Sequence, residues 1–253
     1  FVSLFTTITW LLYYELDLIV LAKLAPPEVV ALYSTAFTLL SFSRNFFSIV
    51  YTSFTTRYNH YYGLGQLDTL KSFFIKNIVV LFPIVFFPVI IFVIAGTPFV
   101  MSWAGPDYGL SALYAKILIG GSFLAAFSYP SNQYLLSTNR TKELYIASAL
   151  LPVVFWIGVS VSYIAFGVLA FAIFKSLSQI LSACYNFYAA CKCQYIRLIT
   201  LLCDLIRQYF FPVVLVALLS CIMVKDLDSF KGFESVMKNL LILGSIYILS
   251  LLS

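Results

Sequence analysis

The stretch ITWLLYYELDLIVLAKL, residues 8–24, places two carboxylates, Glu15 and Asp17, inside a run that is otherwise apolar enough to cross a bilayer. A charged side chain at mid-membrane costs at least about 2.5–3.5 kcal/mol on insertion scales, so such residues usually face a bundle interior or a wet cavity. The run stops at Pro26 and Pro27, which cannot continue a helix. It therefore predicts a membrane-spanning helix with a functional face.

The composition indicates an integral membrane protein. Of 253 residues, 62% are hydrophobic and 10% are charged, whereas about a quarter of the residues of soluble domains are charged. The net charge of +5 is explained by basic cytoplasmic loops, so we expect no nucleic-acid partner.

The alternation of long apolar runs and short polar breaks predicts an all-α, polytopic transmembrane bundle of about eight spans. The expected spans are 4–24, 31–56, 74–100, 111–137, 143–163, 167–190, 208–224 and 237–253. Residues 191–207 alternate charged and aliphatic side chains at helical spacing, which is typical of an interfacial amphipathic helix. The predicted units are a six-helix lobe (1–190), this linker (191–207) and two additional helices (208–253).

Two of these spans carry polar stripes. On the second span, polar residues four and three positions apart share one helical face: Ser34, Thr38, Ser41, Asn45, Ser48, Thr52 and Thr55. Arg44 lies beside that face, and the sixth span repeats the pattern with Lys175, Gln179, Ser182 and Asn186. Close helix packing explains the hydroxylated positions as well as a polar path does. A guanidinium at this depth, however, needs an anionic partner, water or a bound anion.

The two carboxylates have different expected environments, because positions two apart on a helix differ by about 200°. Asp17 falls on the polar face and is expected in the cavity, whereas Glu15 must pair with a neighbouring helix or stay protonated. One alternative is a buried ion pair with Arg44. The other makes Asp17 and Glu15 the groups that load and release a proton or cation.

The remaining reactive residues predict neither a metal site nor a cofactor. The five cysteines, Cys184, Cys191, Cys193, Cys203 and Cys221, include no C-x-x-C pair and no partner histidines at ligand spacing. His60 is expected in a solvated loop. The chain opens without Met inside a hydrophobic segment, so we expect either a removed start or a piece of a longer protein.

The basic residues of the connections predict which side faces the cytoplasm. With alternating sides, one side holds Arg57, Lys71, Lys76, Arg140, Lys142, Lys192, Arg197 and Arg207. The other side holds Lys23, Lys225, Lys231 and Lys238. The more basic side is expected to be cytoplasmic.

The order of several short motifs resembles a known family. The segments DLIVLAKL (17–24) and EVVALYSTAFTLL (28–40) resemble the middle of Wzx-type polysaccharide or O-antigen flippases, within the multidrug/oligosaccharidyl-lipid/polysaccharide exporter superfamily. WAGPDY (103–108) is similar to the family's external break, and QYLLSTNRTK (133–142) to its cytoplasmic turn. The resemblance covers roughly residues 10–190.

This resemblance implies the second lobe of a two-lobe exporter fold plus two extra helices, with the N-terminal lobe of the same protein as a missing partner. It implies movement of undecaprenyl-diphosphate-linked oligosaccharide to the external leaflet of the inner membrane, coupled to a proton or sodium gradient, with membrane lipid as surroundings. The diphosphate would then meet the residues of the polar stripes and one further lysine: Arg44, Asn45, Lys116, Lys175 and Gln179.

Three other functions stay open. A multidrug or metabolite antiporter of the same superfamily would favour acids in the cavity, whereas three intramembrane cations here face two acids. A membrane glycosyltransferase or polymerase would need larger external loops than residues 101–110 and 225–237 provide, so we expect no enzyme. The chain could also be a remnant that does not transport.

Overall fold

The computed structural model describes residues 2–126, 128–225, 238–239 and 241–247, and within these ranges it contains helices and no strand. This confirms the all-α class. The main helices are α1 Val2–Tyr14, α2 Leu16–Leu24, α3 Pro27–Gly63, α4 Leu67–Ala104, α5 Gly109–Ala126, α6 Tyr129–Ser137, α7 Thr141–Phe166, α8 Leu169–Cys193 and α9 Leu198–Lys225.

Two predicted spans are interrupted. The first breaks at Glu15, which separates α1 from α2, although its N–H still donates to the Leu11 carbonyl (3.1 Å). The predicted span 111–137 divides into α5 and α6, with Pro130 in the first turn of α6, where its missing N–H breaks no helical hydrogen bond. A hydropathy window averages over such breaks, because the few polar residues around each one are flanked by long apolar segments.

Two other helices are longer than expected. Residues 57–63 and 67–72, expected in a polar connection, are helical, so α3 and α4 have 37 and 38 residues and only residues 64–66 separate them. His60 is an exposed residue in the last turn of α3, not a loop residue. The polar residues at these helix ends extend beyond the bilayer core. A search for apolar windows therefore leaves them out of the predicted spans.

Within the described residues, four helical segments are long and apolar enough to cross a membrane: Leu4–Leu24, Leu67–Ala104, Pro106–Ala126 and Thr141–Phe166. A fifth is present if Leu198–Phe210 and Pro212–Leu219, which meet at 49°, form one span. The helices α3 and α8, which carry the polar stripes, are not among them. Of the predicted span 237–253, residues 237, 240 and 248–253 lie outside the described residues, as does most of the connection before it (226–237). The predicted division of the chain at residues 190 and 207 stays a prediction, and α9 runs across the second boundary.

Helix α8 packs against α5, α6 and α7, and its closest approaches occur at glycines. A β-carbon at Gly121 of α5 would lie 2.7 Å from the Ser176 Cα, and one at Gly158 of α7 would lie 1.9 Å from the Phe174 ring. Interhelical hydrogen bonds add to this contact: Ser176 Oγ donates to the Ile117 carbonyl (2.7 Å) and Ser182 Oγ to the Ala147 carbonyl (2.8 Å). Small residues and hydroxyls are what hold helices together in a bilayer.

Two side chains of α7 donate hydrogen bonds to backbone carbonyls near the C-terminal ends of α1 and α2. The Trp156 indole N–H donates to the Leu12 carbonyl (2.9 Å), and the Tyr163 hydroxyl donates to the Leu24 carbonyl (3.1 Å). The last carbonyls of a helix lack helical partners, so these contacts satisfy groups that would otherwise be exposed to lipid. They also hold the Glu15 break beside the bundle interior.

Candidate functional site

A buried ion pair joins α2 to α8. The Lys175 ammonium contacts Oδ2 of Asp17, and both side chains are 0% exposed. The Tyr33 hydroxyl of α3 donates to the same carboxylate oxygen (3.0 Å). The other oxygen, Oδ1, is buried and has no hydrogen-bond partner in the described part of the chain. Asp17 is therefore paired within the lobe, with Lys175 rather than with Arg44.

The pair continues into a network of tyrosines and amides. The Tyr13 hydroxyl donates to the backbone carbonyl of Lys175, and the Ser178 hydroxyl lies 3.1 Å from the Tyr13 oxygen. One residue along, Gln179 Nε2 donates to the Tyr14 hydroxyl (2.7 Å). The two tyrosines before the Glu15 break thus connect the ion pair to the next layer of the bundle.

That layer is a polar pocket of about 180 Å³ at the meeting point of α1, α3, α5, α6, α7 and α8. Its polar lining residues are Tyr14, Arg44, Ser122, Ser128, Tyr129, Asn132, Ser148, Gln179, Ser182 and Asn186. Among the residues that line it, only Arg44 carries a charge. Three buried polar atoms of the lining residues have no hydrogen-bond partner among the described residues: Arg44 Nη1, Gln179 Oε1 and Asn186 Oδ1. The pocket therefore offers unused donors and acceptors beside one fixed cation.

Aromatic rings hold the Arg44 guanidinium in place. Its central carbon lies 4.3 Å from the centroid of the Tyr14 ring and 5.3 Å from that of Trp10. Arginine stacks on aromatic faces and keeps its charge in any surroundings. The rings orient the donor fork without neutralising it, so an anion in the pocket would meet a pre-positioned charge.

The sequence-predicted residues separate into three groups. Arg44 and Gln179 line the pocket, and Asp17 and Lys175 form the ion pair one layer away. Asn45 is exposed on α3 and Glu15 is exposed at the helix break. Lys116 is half-buried against α4, where its Cε would lie 3.3 Å from a β-carbon at Gly96. These three do not line the pocket.

The two polar stripes have opposite environments. On α8, Lys175, Gln179 and Ser182 are buried. On α3, Thr38, Asn45, Ser48 and Thr52 are exposed, and the remaining stripe residues are half-buried. Packing within the lobe therefore explains the α8 stripe but not the α3 stripe, which lies on the outer surface of this bundle.

The sequence placed Tyr13 on the helical face of Asp17 but assigned no role in the site to Tyr13, Tyr14 or Tyr33. Tyrosine is common at membrane interfaces, so its presence in an apolar run gives little indication of a site. A signal was nevertheless present: Tyr13 and Asp17 are four positions apart, which places them on one helical face.

The described residues contain no group of three or more potential metal ligands from His, Cys, Asp or Glu. The polar groups of the site are instead amides, hydroxyls, one carboxylate and two cations. This set is suited to binding and releasing polar or charged groups.

The sequence profile of the MatE family matches residues 3–164, which include the first seven helices. This family is part of the MOP exporter superfamily. No curated protein and no solved structure matches the chain.

Proposed function

Because the chain belongs to the MatE family, whose members are membrane transporters and not enzymes, we propose that it moves an anionic, lipid-linked oligosaccharide across the membrane. The transported molecule would be an undecaprenyl-diphosphate-linked oligosaccharide, taken from the cytoplasmic to the external leaflet of the inner membrane for surface polysaccharide synthesis. The chain is a multi-pass membrane protein.

One observation carries this proposal: the only charged side chain lining the polar pocket is Arg44, whose Nη1 is buried without a partner in the described chain. A guanidinium presents planar, paired donors that match phosphate oxygens. The neighbouring amide oxygens of Gln179 and Asn186 accept hydrogen bonds, as sugar hydroxyls would require. At about 180 Å³, the pocket is smaller than the roughly 300–1,000 Å³ of typical ligand sites. It would hold a phosphate or one sugar ring rather than the whole molecule.

The exposed α3 stripe supports a polar route for the rest of the head group. Several of its hydroxyls donate to their own helix, such as Thr38 Oγ1 to the Ser34 carbonyl (2.9 Å) and Thr52 Oγ1 to the Ile49 carbonyl (3.0 Å). A hydroxyl bonded in this way keeps its lone pairs free as acceptors. We propose that this face, with Asn45, lines a wet cavity shared with an N-terminal lobe, and that Lys116 meets the substrate nearer the external side.

Ion coupling is assigned to Asp17 and Glu15. Asp17 keeps one unpaired oxygen inside the bundle, and Glu15 lies exposed at the helix break beside it. A carboxylate that alternates between two occupants can link an ion gradient to movement of the lobe.

A multidrug or metabolite antiporter is the second candidate, because the same family match fits it as well. An organic cation, however, would be repelled by Arg44. A substrate of this class would need Glu15 as its counter-charge.

Deletion of the gene in its native cell separates the two. We expect lipid-linked oligosaccharide to accumulate on the cytoplasmic leaflet, as measured by enzymatic labelling of intact and inverted vesicles, and the gene supplied in trans to reverse this. An unchanged distribution together with new drug sensitivity would instead establish the antiporter.

A further inference from the structure

The Lys175 ammonium lies in a cage that is built like a binding site. Besides Asp17, it faces four aromatic rings, whose centroids lie 4.5 Å (Phe37), 5.2 Å (Tyr13), 5.5 Å (Tyr14) and 5.5 Å (Phe155) from Nζ. These residues come from α1, α2, α3 and α7. Aromatic rings around one carboxylate are the arrangement that recognises organic ammonium ions.

The cage is poorly suited to a metal cation. Hard cations require several oxygen ligands at short distance, whereas four ring centroids lie 4.5–5.5 Å from Nζ. After donating to Asp17 and to the Lys175 carbonyl, the Tyr33 and Tyr13 hydroxyls still carry acceptor lone pairs. Together with the Asp17 carboxylate, however, they supply fewer oxygens than the roughly six to eight that hard cations take. An ammonium needs only the carboxylate and the rings.

We propose that Asp17 and the four rings form an organic-ammonium site, which the chain fills with its own Lys175, and that this internal cation excludes sodium from the lobe. This site concerns the ion-coupling role proposed above for Asp17, and its meaning for transport rests on that role. Sodium is then not the ion that acts at Asp17.

The site is tested on the purified chain by replacing the tethered cation with a free one. Lys175→Ala removes three methylenes and the ammonium, which together equal n-propylammonium. We expect n-propylammonium to raise the melting temperature of this variant by about 5 °C at ~100 times its dissociation constant. Neutral n-propanol and sodium chloride should not raise it. The double variant Asp17→Asn/Lys175→Ala should not respond to n-propylammonium.

A second measurement needs no variant and stays decisive if Lys175→Ala does not fold. Wild-type chain is titrated with radioactive sodium in a scintillation proximity assay, and we expect no saturable binding. Saturable binding that Asp17→Asn removes would overturn the proposal, as would a folded Lys175→Ala variant that ignores n-propylammonium. Both experiments omit the transported substrate, so a failure of the flippase assignment would leave their outcome unchanged.

Discussion

At the scale of single residues, the site depends on how each charge is compensated. Asp17 and Lys175 neutralise each other without access to solvent, whereas Arg44 is held by rings and keeps its charge unopposed. The first arrangement creates a buried connection between α2 and α8, and the second creates a binding group. The sequence predicted that all three would lie inside the bundle, but not which of them pair, because pairing depends on how α8 is rotated against α2.

The buried pair makes a prediction about stability. Asp17→Asn leaves the Lys175 ammonium buried and uncompensated, so we expect the free energy of unfolding to fall by about 3–5 kcal/mol. The double variant Asp17→Asn/Lys175→Met should recover most of this loss, because it removes both charges and keeps similar volumes. Denaturant unfolding in detergent measures both effects.

Glu15→Gln is the matched control for that experiment, since Glu15 is exposed and lies two positions away. We expect its unfolding curve to overlay that of the wild type. An Asp17→Asn variant as stable as Glu15→Gln would contradict the buried pair.

At the scale of helices, the fold depends on contacts that allow two backbones to approach closely. Hydropathy and periodicity were sufficient to predict α7 and α8 to within a few residues, because polar turns bound this helix pair on its outer sides and Gly167 marks the apolar turn between the two helices. The breaks at Glu15 and between α5 and α6 could not be predicted, since they depend on tertiary partners. One of these partners is the Tyr51 hydroxyl, which donates to the Ala126 carbonyl (2.9 Å) at the end of α5.

Gly121→Ala tests the contact between α5 and α8. Its β-carbon would meet the backbone of Ser176 at 2.7 Å, so the helices must separate, and we expect a loss of about 1–3 kcal/mol. The adjacent Gly120→Ala meets nothing within 4 Å and should leave stability equal or slightly higher, because alanine favours the helix. Thermal unfolding of the two variants side by side gives the comparison, and equal melting temperatures would refute the close contact.

At the scale of the whole molecule, the lobe surrounds its polar network with helices and exposes apolar side chains outward. Ile49, Val161 and Ile164 are at least 73% exposed, as expected of a surface that faces lipid. The membrane class followed from composition, and the approximate set of helices followed from the alternation of apolar runs and polar breaks. Membrane sidedness is still a prediction from the distribution of Lys and Arg.

Cysteine labelling checks that sidedness. In a cysteine-free background, Asp107→Cys lies in the turn before α5 and Lys142→Cys in the first turn of α7, and both native residues are exposed. We expect a membrane-impermeant maleimide to label position 107 in intact cells and position 142 only in inverted vesicles. The reverse pattern would invert the topology and the direction of transport.

The proposed role of Arg44 in transport is tested by measuring translocation of lipid-linked oligosaccharide in cells that carry Arg44→Gln or Arg57→Gln. Both arginines belong to α3, but Arg44 lines the polar pocket and Arg57 is exposed at the predicted cytoplasmic end. We predict that Arg44→Gln abolishes the appearance of oligosaccharide on the external leaflet at unchanged protein level, and that Arg57→Gln retains it. Full translocation by Arg44→Gln would contradict the role of the pocket.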